Sequence, residues 1–550
     1  MKSKKLLRWV GIVVALSLLF VACAPQAVIE TVEVPVEVVK EVEVPVEVIK
    51  EVEVPVEVEK IVEVPMEPGL GGPIKDTDTL IMAIHKAAPT LNPLIDSVNY
   101  FEPDQIFDEV VDLDANLKPT PSLATEWKLL DDNVTYEFTL REGVKFHNGE
   151  DFTCEDVEFS LDTMLDPALE SRRAVVYFSP VTSYECVDDF TFRLTLAAPA
   201  PAFIANNFIK LQVVPADTYK EMGAEQFGIT PVGTGPYKLI EWVQGSNAVL
   251  EGYEDYWDGA PDIKHVEMKT VIDPTTRVAL FLSDEVDWIF AVPAQESKVI
   301  GQIPGFEVLT GPTTNMIFIG MNAFKEPFTD KRVRQAMNYA VDWDTIIETI
   351  LDGYGYRNAA TAGSMLIGYD PSLEPYPYDP EKAKELLAEA GYPDGFEVMF
   401  DGPVGRYIKD KEVSEAVAGY LNEIGISTQM NLNEWGTFWE RFLGKEIPGL
   451  YFLGCGGSAD FDLCNRLHFH SLVRGIYYNT PEGDVLLDEI SSTLDPEERL
   501  DKIHEFLQFI QDEAPWVFAY DEANIVASRI GLKQEIRPDL IARANTFSWE

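Results

Sequence analysis

Residues 133–165, NVTYEFTLREGVKFHNGEDFTCEDVEFSLDTML, change periodicity halfway along. Val134, Tyr136, Phe138 and Leu140 alternate with polar residues, the period-two pattern of a strand with one buried face. Gly143 and Gly149 punctuate turns around Val144 and Phe146. Thr153 then stands as an N-cap with Asp156 in the capping-box position, and Val157, Leu161 and Met164 follow at helical spacing. Strand, hairpin and helix in one short run predict an α/β chain. Two later segments repeat the helical part. In FTDKRVRQAMNYAVDW (328–343), Val333, Ala336, Met337, Ala340 and Val341 form one apolar face, so Arg332 and Arg334 are solvated or structural cations. In YDPEKAKELLAEAGYP (378–393), Asp379 caps, Pro380 takes the first helical position, Leu386 and Leu387 face inward and Gly391 closes the end. Helices of this kind alternating with short strands indicate α/β lobes.

Upstream, residues 1–22 carry Lys2, Lys4, Lys5 and Arg8, then an apolar run from Val10 to Ala22. That is the pattern of a secretory signal, short for a membrane span, with a transmembrane anchor as the alternative. The run ends in FVAC, which resembles a bacterial lipobox and implies lipid on Cys23; Phe20 departs from the usual Leu. Residues 31–68 then repeat Val-Glu-Val-Pro-Val-Glu-Val every ten positions. Pro removes a ladder donor in each copy and no turn residue allows a hairpin, so the repeat is expected to be an extended, self-repelling spacer rather than a sheet. At polyproline rise it would reach on the order of 120 Å. A multimerising edge strand is the alternative. Residues 23–75 are therefore expected to be a lipid anchor and stalk.

The chain has 550 residues, 93 acidic against 43 Lys and Arg, and a formal net charge of −50. Such acidity excludes nucleic acid as a partner. The body from Asp76 onward exceeds one hydrophobic core, so more than one lobe is expected. Beyond Cys23 stand Cys154, Cys186, Cys455 and Cys464, whose spacings match no common zinc pattern. In an extracytoplasmic protein an even set suggests disulfides, and proximity favours Cys154 with Cys186 and Cys455 with Cys464. Buried free thiols stay open as the alternative.

The run around Tyr136 also resembles the extracellular solute-binding proteins of ABC importers, in the peptide/nickel-type group of dipeptide and oligopeptide receptors. LATEW (123–127), PVGTGPYKL (231–239), YEDYWDGAPDI (253–263), MNAFKEPFTDKRVRQAMNYAVDWDTI (321–346) and FIQDEAPWVFAYDE (509–522) carry the resemblance in order across everything after Thr77. It implies a two-lobed periplasmic-binding-protein-like α/β fold with a hinge between lobes. Lobe 1 would span 76–311, with an inserted subdomain at about 112–228, and lobe 2 would span 312–520. Residues 521–550 would return to lobe 1, with crossings near Pro312 and Tyr520. It further implies capture of a peptide or similar small organic solute by lobe closure, delivery to ABC permease subunits, and a monomer without cofactor.

No motif for a catalytic triad, a zinc protease or a P-loop is present, so no enzyme activity and no metal site are expected. Of six histidines, only His468 and His470 lie close, and as i, i+2 neighbours they are placed on one side of a strand. A binding cleft needs aromatic lining with a few polar groups. Trp435, Phe438 and Trp439 supply aromatics, and the Gly-rich loop GCGGSADFD (454–462) follows an apolar strand. By resemblance to peptide receptors, Asp460 is the candidate for a ligand's α-ammonium and Asp462 the second; capping a turn is the alternative role. His85, Asn99 and Tyr100 are the resemblance-based contacts from lobe 1, and Trp257 is read as a core aromatic. No Arg for a peptide carboxylate can be placed, which leaves an oligosaccharide-specific receptor open. A stalked surface adhesion protein is the other alternative.

Overall fold

The computed structural model describes residues 76–550 except Ser97 and Asn99. The signal, Cys23, the repeat stalk and Asn99 therefore lie outside the described residues.

The 133–165 run folds as its periodicity predicts. Thr135–Leu140 is a strand and Cys154–Leu165 a helix, with Asp156 accepting the Thr153 amide at 2.9 Å. The strand sits in a four-stranded antiparallel sheet, ordered Ala124–Leu129, Thr135–Leu140, Thr191–Leu196, Val181–Asp188. Cys154 is bonded to Cys186, which ties the helix to the outer strand. This unit interrupts a larger sheet: Thr79–Ile84 precedes it, and the next strand of the larger sheet, Tyr237–Val243, follows it.

The larger sheet has 11 strands. Its middle is made by two long antiparallel strands, Phe306–Met321 and Trp516–Arg529. To one side lie Trp288–Phe290, Thr79–Ile84, His265–Thr270, Asn247–Gly252 and Tyr237–Val243; to the other lie Leu450–Cys455, Phe396–Pro403 and Ile426–Asn433. Gly355–Arg357 pairs with the outer side of the second long strand.

Because side chains alternate across a strand, the long strands feed cores on both faces. Phe306, Ile525 and Ala527 pack with Phe281 and Ile289. Further along, Ile317, Ile319, Val517 and Ala519 pack with Val333, Met337 and Phe400, while Met316, Phe318 and Trp516 point to the opposite face, toward Phe442 and Phe506. The change of core coincides with a break in register. Pro312 pairs with Ala523 but Met316 pairs with Asp521, so Thr313, Thr314 and Asn315 stand opposite the single residue Glu522. A bulge of this kind bends the ladder and redirects side chains.

Arg334 is buried within Lys331–Ala340 and pairs with Glu513 at 2.9 Å, while Arg332 pairs with Asp330; both are structural. Pro380–Glu389 begins after Asp379, whose carboxylate accepts the Lys382 amide.

Candidate functional site

In open α/β sheets, ligands lie beyond the carboxyl ends of the strands, where loops leave the ladder. Here the loops after Thr79–Ile84, Trp288–Phe290, Phe396–Pro403 and Leu450–Cys455 converge with the bulge on one cavity of 830 Å³. His85 and Lys86 come from the first, Ala291 to Ala294 from the second, Arg406 to Ile408 from the third and Gly456 and Gly457 from the fourth. Gly457 has φ +85°, and a Cβ on Gly456 would stand 2.8 Å from the Asn315 Cα. The loop can therefore press against the bulge only without side chains there.

The aromatic wall begins at the helix Trp435–Leu443, held at its start by Glu434 accepting the Gly436 and Thr437 amides. Trp435 and Trp439, one turn apart, stack with ring centroids 5.1 Å apart at 20°. The Arg406 guanidinium lies 4.9 Å from the Trp435 ring, and that of Arg474 lies 5.5 Å from Trp439. Elsewhere on the cavity, Lys86 lies 5.3 Å from the Tyr100 ring, and His85 stacks on Phe290 at 5.0 Å. Burial and the neighbouring Lys86 charge push the His85 imidazole down to about 4, so it is neutral near pH 7; its buried Nδ1 has no hydrogen-bond partner among the described residues.

The carboxyl groups of the cavity are differently placed. Glu522 accepts from the Asn315 amide nitrogen and from the Ile408 backbone at 3.0 Å, and burial raises its carboxyl above the usual range. Asp539 pairs with Arg537 at 2.6 Å. Asp104 accepts from Gln212 at 3.2 Å, and burial raises it also.

His85, Tyr100 and Trp435 thus line one cavity, as does Trp439. Phe438 does not: it is fully buried one layer behind, against Phe442 and Tyr451. Asp460 requires a correction. Its two oxygens meet the Arg499 guanidinium at 2.7 Å each, its amide donates to Asn206, and it is 2% exposed. Both carboxylate oxygens are occupied by a buried fork-on-fork ion pair, so no ligand ammonium reaches them. Asp462 is likewise withdrawn, accepting from Ser491 at 2.7 Å; burial and the Asp460 charge push its carboxyl up to about 6.

His468 and His470 are corrected as well. Asp462–Phe469 is a helix, with Cys464, Asn465, His468 and Phe469 buried at helical spacing. His468 lines the cavity edge-on to Trp516 at 5.2 Å and is kept neutral by burial, whereas His470 turns to Asp488 at 3.0 Å. Cys455 is bonded to Cys464, fastening the Gly-rich loop to this helix. Trp257 donates to Asp108 at 2.8 Å and packs on a separate core that holds Phe138, Phe146 and Trp288.

The residues missed in the sequence are Lys86, Arg406, Arg474 and Glu522. Arg406 follows the turn-rich DGPVG at a strand end, a loop position where function concentrates. Arg474 and Glu522 carry no comparable signal.

Residues 118–464 match the family model described as bacterial extracellular solute-binding proteins, family 5 middle. The heme-binding protein A of Haemophilus influenzae is 32% identical over 430 residues, covering 72% of this chain and 78% of that protein. The glutathione-binding protein GsiB of Shigella flexneri is 28% identical over 453 residues, covering 80% and 88%. The solved structure of HbpA2 from Haemophilus parasuis superposes with a TM-score of 0.77 at 24% identity, over 86% of this chain and all of that one. The architecture is accordingly the two-lobed α/β fold of periplasmic binding proteins.

Proposed function

Since the chain belongs to family 5 of the bacterial extracellular solute-binding proteins, we propose that it is the substrate-binding receptor of an ABC importer that captures a small organic solute and delivers it to the permease. The observation that carries this is the 830 Å³ cavity where the loops of both halves of the sheet meet at the bulge. That size suits a ligand of tripeptide to cofactor dimensions. Relatives named for glutathione and heme binding support a solute of that range and a non-enzymatic role.

In this proposal the lobes are 76–311 with 521–550, and 312–520. The bulge at Thr313–Asn315 opposite Glu522 is the hinge about which they close. The protein acts as a monomer outside the cytoplasmic membrane. Residues 1–22 are removed, Cys23 is lipidated, and the repeat to residue 75 lifts the receptor off the surface.

Protein purified without denaturation and weighed by native mass spectrometry should carry a small organic molecule that unfolding releases. A bare protein that no peptide or organic solute stabilises would overturn the receptor assignment. Cys23→Ser should move the protein from the membrane fraction to the medium; persistent membrane retention would rule out lipid anchoring.

A further inference from the structure

The charged groups of the cavity divide in an unequal way. Its carboxylates are answered from within the protein: Glu522 by Asn315 and Ile408, Asp539 by Arg537, and Asp104 by Gln212. Its cations are not. Among the described residues, neither Lys86, Arg406 nor Arg474 has a carboxylate within ion-pair distance, and the buried Nε of Arg474 has no hydrogen-bond acceptor. Arg406 stands in the electrostatic field of Glu522, yet the hydrogen bonds of that carboxylate go elsewhere.

Each guanidinium is instead laid against an indole of the stacked pair, Arg406 on Trp435 and Arg474 on Trp439. Stacking holds the planar fork at fixed orientation and leaves its edge N–H donors without a carboxylate. Arg474 is half-buried, and such a cation without a counter-charge is unfavourable until a carboxylate arrives with two parallel hydrogen bonds, whereas Arg406 is exposed at the mouth and offers its edge donors without that cost. The Asp that would receive a ligand ammonium, Asp460, is closed by Arg499.

Resting on the receptor assignment above, we infer that the cavity selects organic anions bearing at least two carboxylates on a flat or apolar body. Arg406 and Arg474 grip the carboxylates, and the Trp435 and Trp439 rings take the body. A zwitterionic peptide anchored by its free ammonium is not the preferred cargo.

Calorimetry on the full chain, freed of carried solute, tests this with glutathione and protoporphyrin IX, each beside its dimethyl ester, and with trialanine. At least one diacid should bind, and its ester should bind at least about tenfold more weakly. Arg406→Gln and Arg474→Gln should each weaken the diacid by about 10- to 100-fold. Neither should lower the melting temperature of the unliganded protein, because neither breaks an ion pair. An ester binding as well as its acid, or trialanine binding more tightly than both acids, overturns the anion inference and leaves the receptor assignment standing. Binding by none of the probes overturns the inference too, while native mass spectrometry of the untreated protein judges the receptor assignment separately. A guanidinium variant that melts earlier and binds the acid unchanged shows a packing role and equally overturns it.

Discussion

Asp460 and Arg499 illustrate how a side chain of the right type in a Gly-rich loop can belong to the framework instead of the ligand. Both are almost fully buried and hold each other through two bonds of 2.7 Å. Removing one partner leaves the other charge buried, so Asp460→Ala or Arg499→Ala should each destabilise the protein by about 3–5 kcal/mol in denaturant titrations. Asp460→Leu combined with Arg499→Met should restore most of that loss, and ligand affinity of the folded fraction should not change. His147 offers a second test at this scale. Gly233 donates to its Nδ1 at 3.3 Å, so Nε2 carries the proton and donates to the Gly235 carbonyl at 2.8 Å. Burial pushes this imidazole from 6.5 down to about 4 in the fold. A base with a depressed folded pKa contributes stability that is present above its unfolded value and is lost as pH falls through the folded one. Melting temperature should therefore fall between pH 6.5 and 4, and His147→Gln should flatten that part of the profile; an unchanged slope would remove His147 from the account.

Among the elements, the helix Cys154–Leu165 is joined to the next helix by one carboxylate, beside its disulfide to the outer strand. Asp156 accepts the Thr153 amide that begins its own helix and the Ala216 amide that begins the helix Ala216–Phe227, both at 2.9 Å. Asp156→Ala leaves two donors unmatched in the interior and should cost about 2–4 kcal/mol by chemical denaturation. The Gly-rich loop after Leu450–Cys455 is constrained in the opposite sense, by lack of space. Gly456→Ala would force its new methyl against Asn315 and should destabilise by about 1–3 kcal/mol, with weaker solute binding measured by calorimetry. If that variant binds normally, the loop does not need its close approach to the bulge.

For the whole molecule, the two long strands connect cores that are otherwise separate, and the cavity opens where their register breaks. Rotation at that break would alter the cavity without disturbing either core. Small-angle scattering should then show compaction on saturating with solute, and no change in scattering would contradict closure. A chain starting at Asp76 should bind with the affinity of the full chain, since the cavity is lined by residues after it among those described.

Much of the fold was legible because it is local. The alternation of Val134 to Leu140, the box formed by Thr153 and Asp156, and the apolar face from Val333 to Val341 depend on neighbours within a few residues, and those positions act as their patterns predict. The order of motifs identified the family for the same reason. His468 and His470 show where local pattern ends, since an i, i+2 pair fits a strand equally well and only the surrounding burial selects the helix. The site depended still more on three-dimensional contact. That Asp460 is closed rests on Arg499, 39 residues away. That Glu522 is satisfied rests on Asn315, 207 residues away. Charge and residue type are properties of the sequence by itself, whereas availability to a ligand is set by which opposite charge the folded chain brings within reach. The tertiary structure alone decided that the carboxylates of this cavity are taken and its guanidiniums are not.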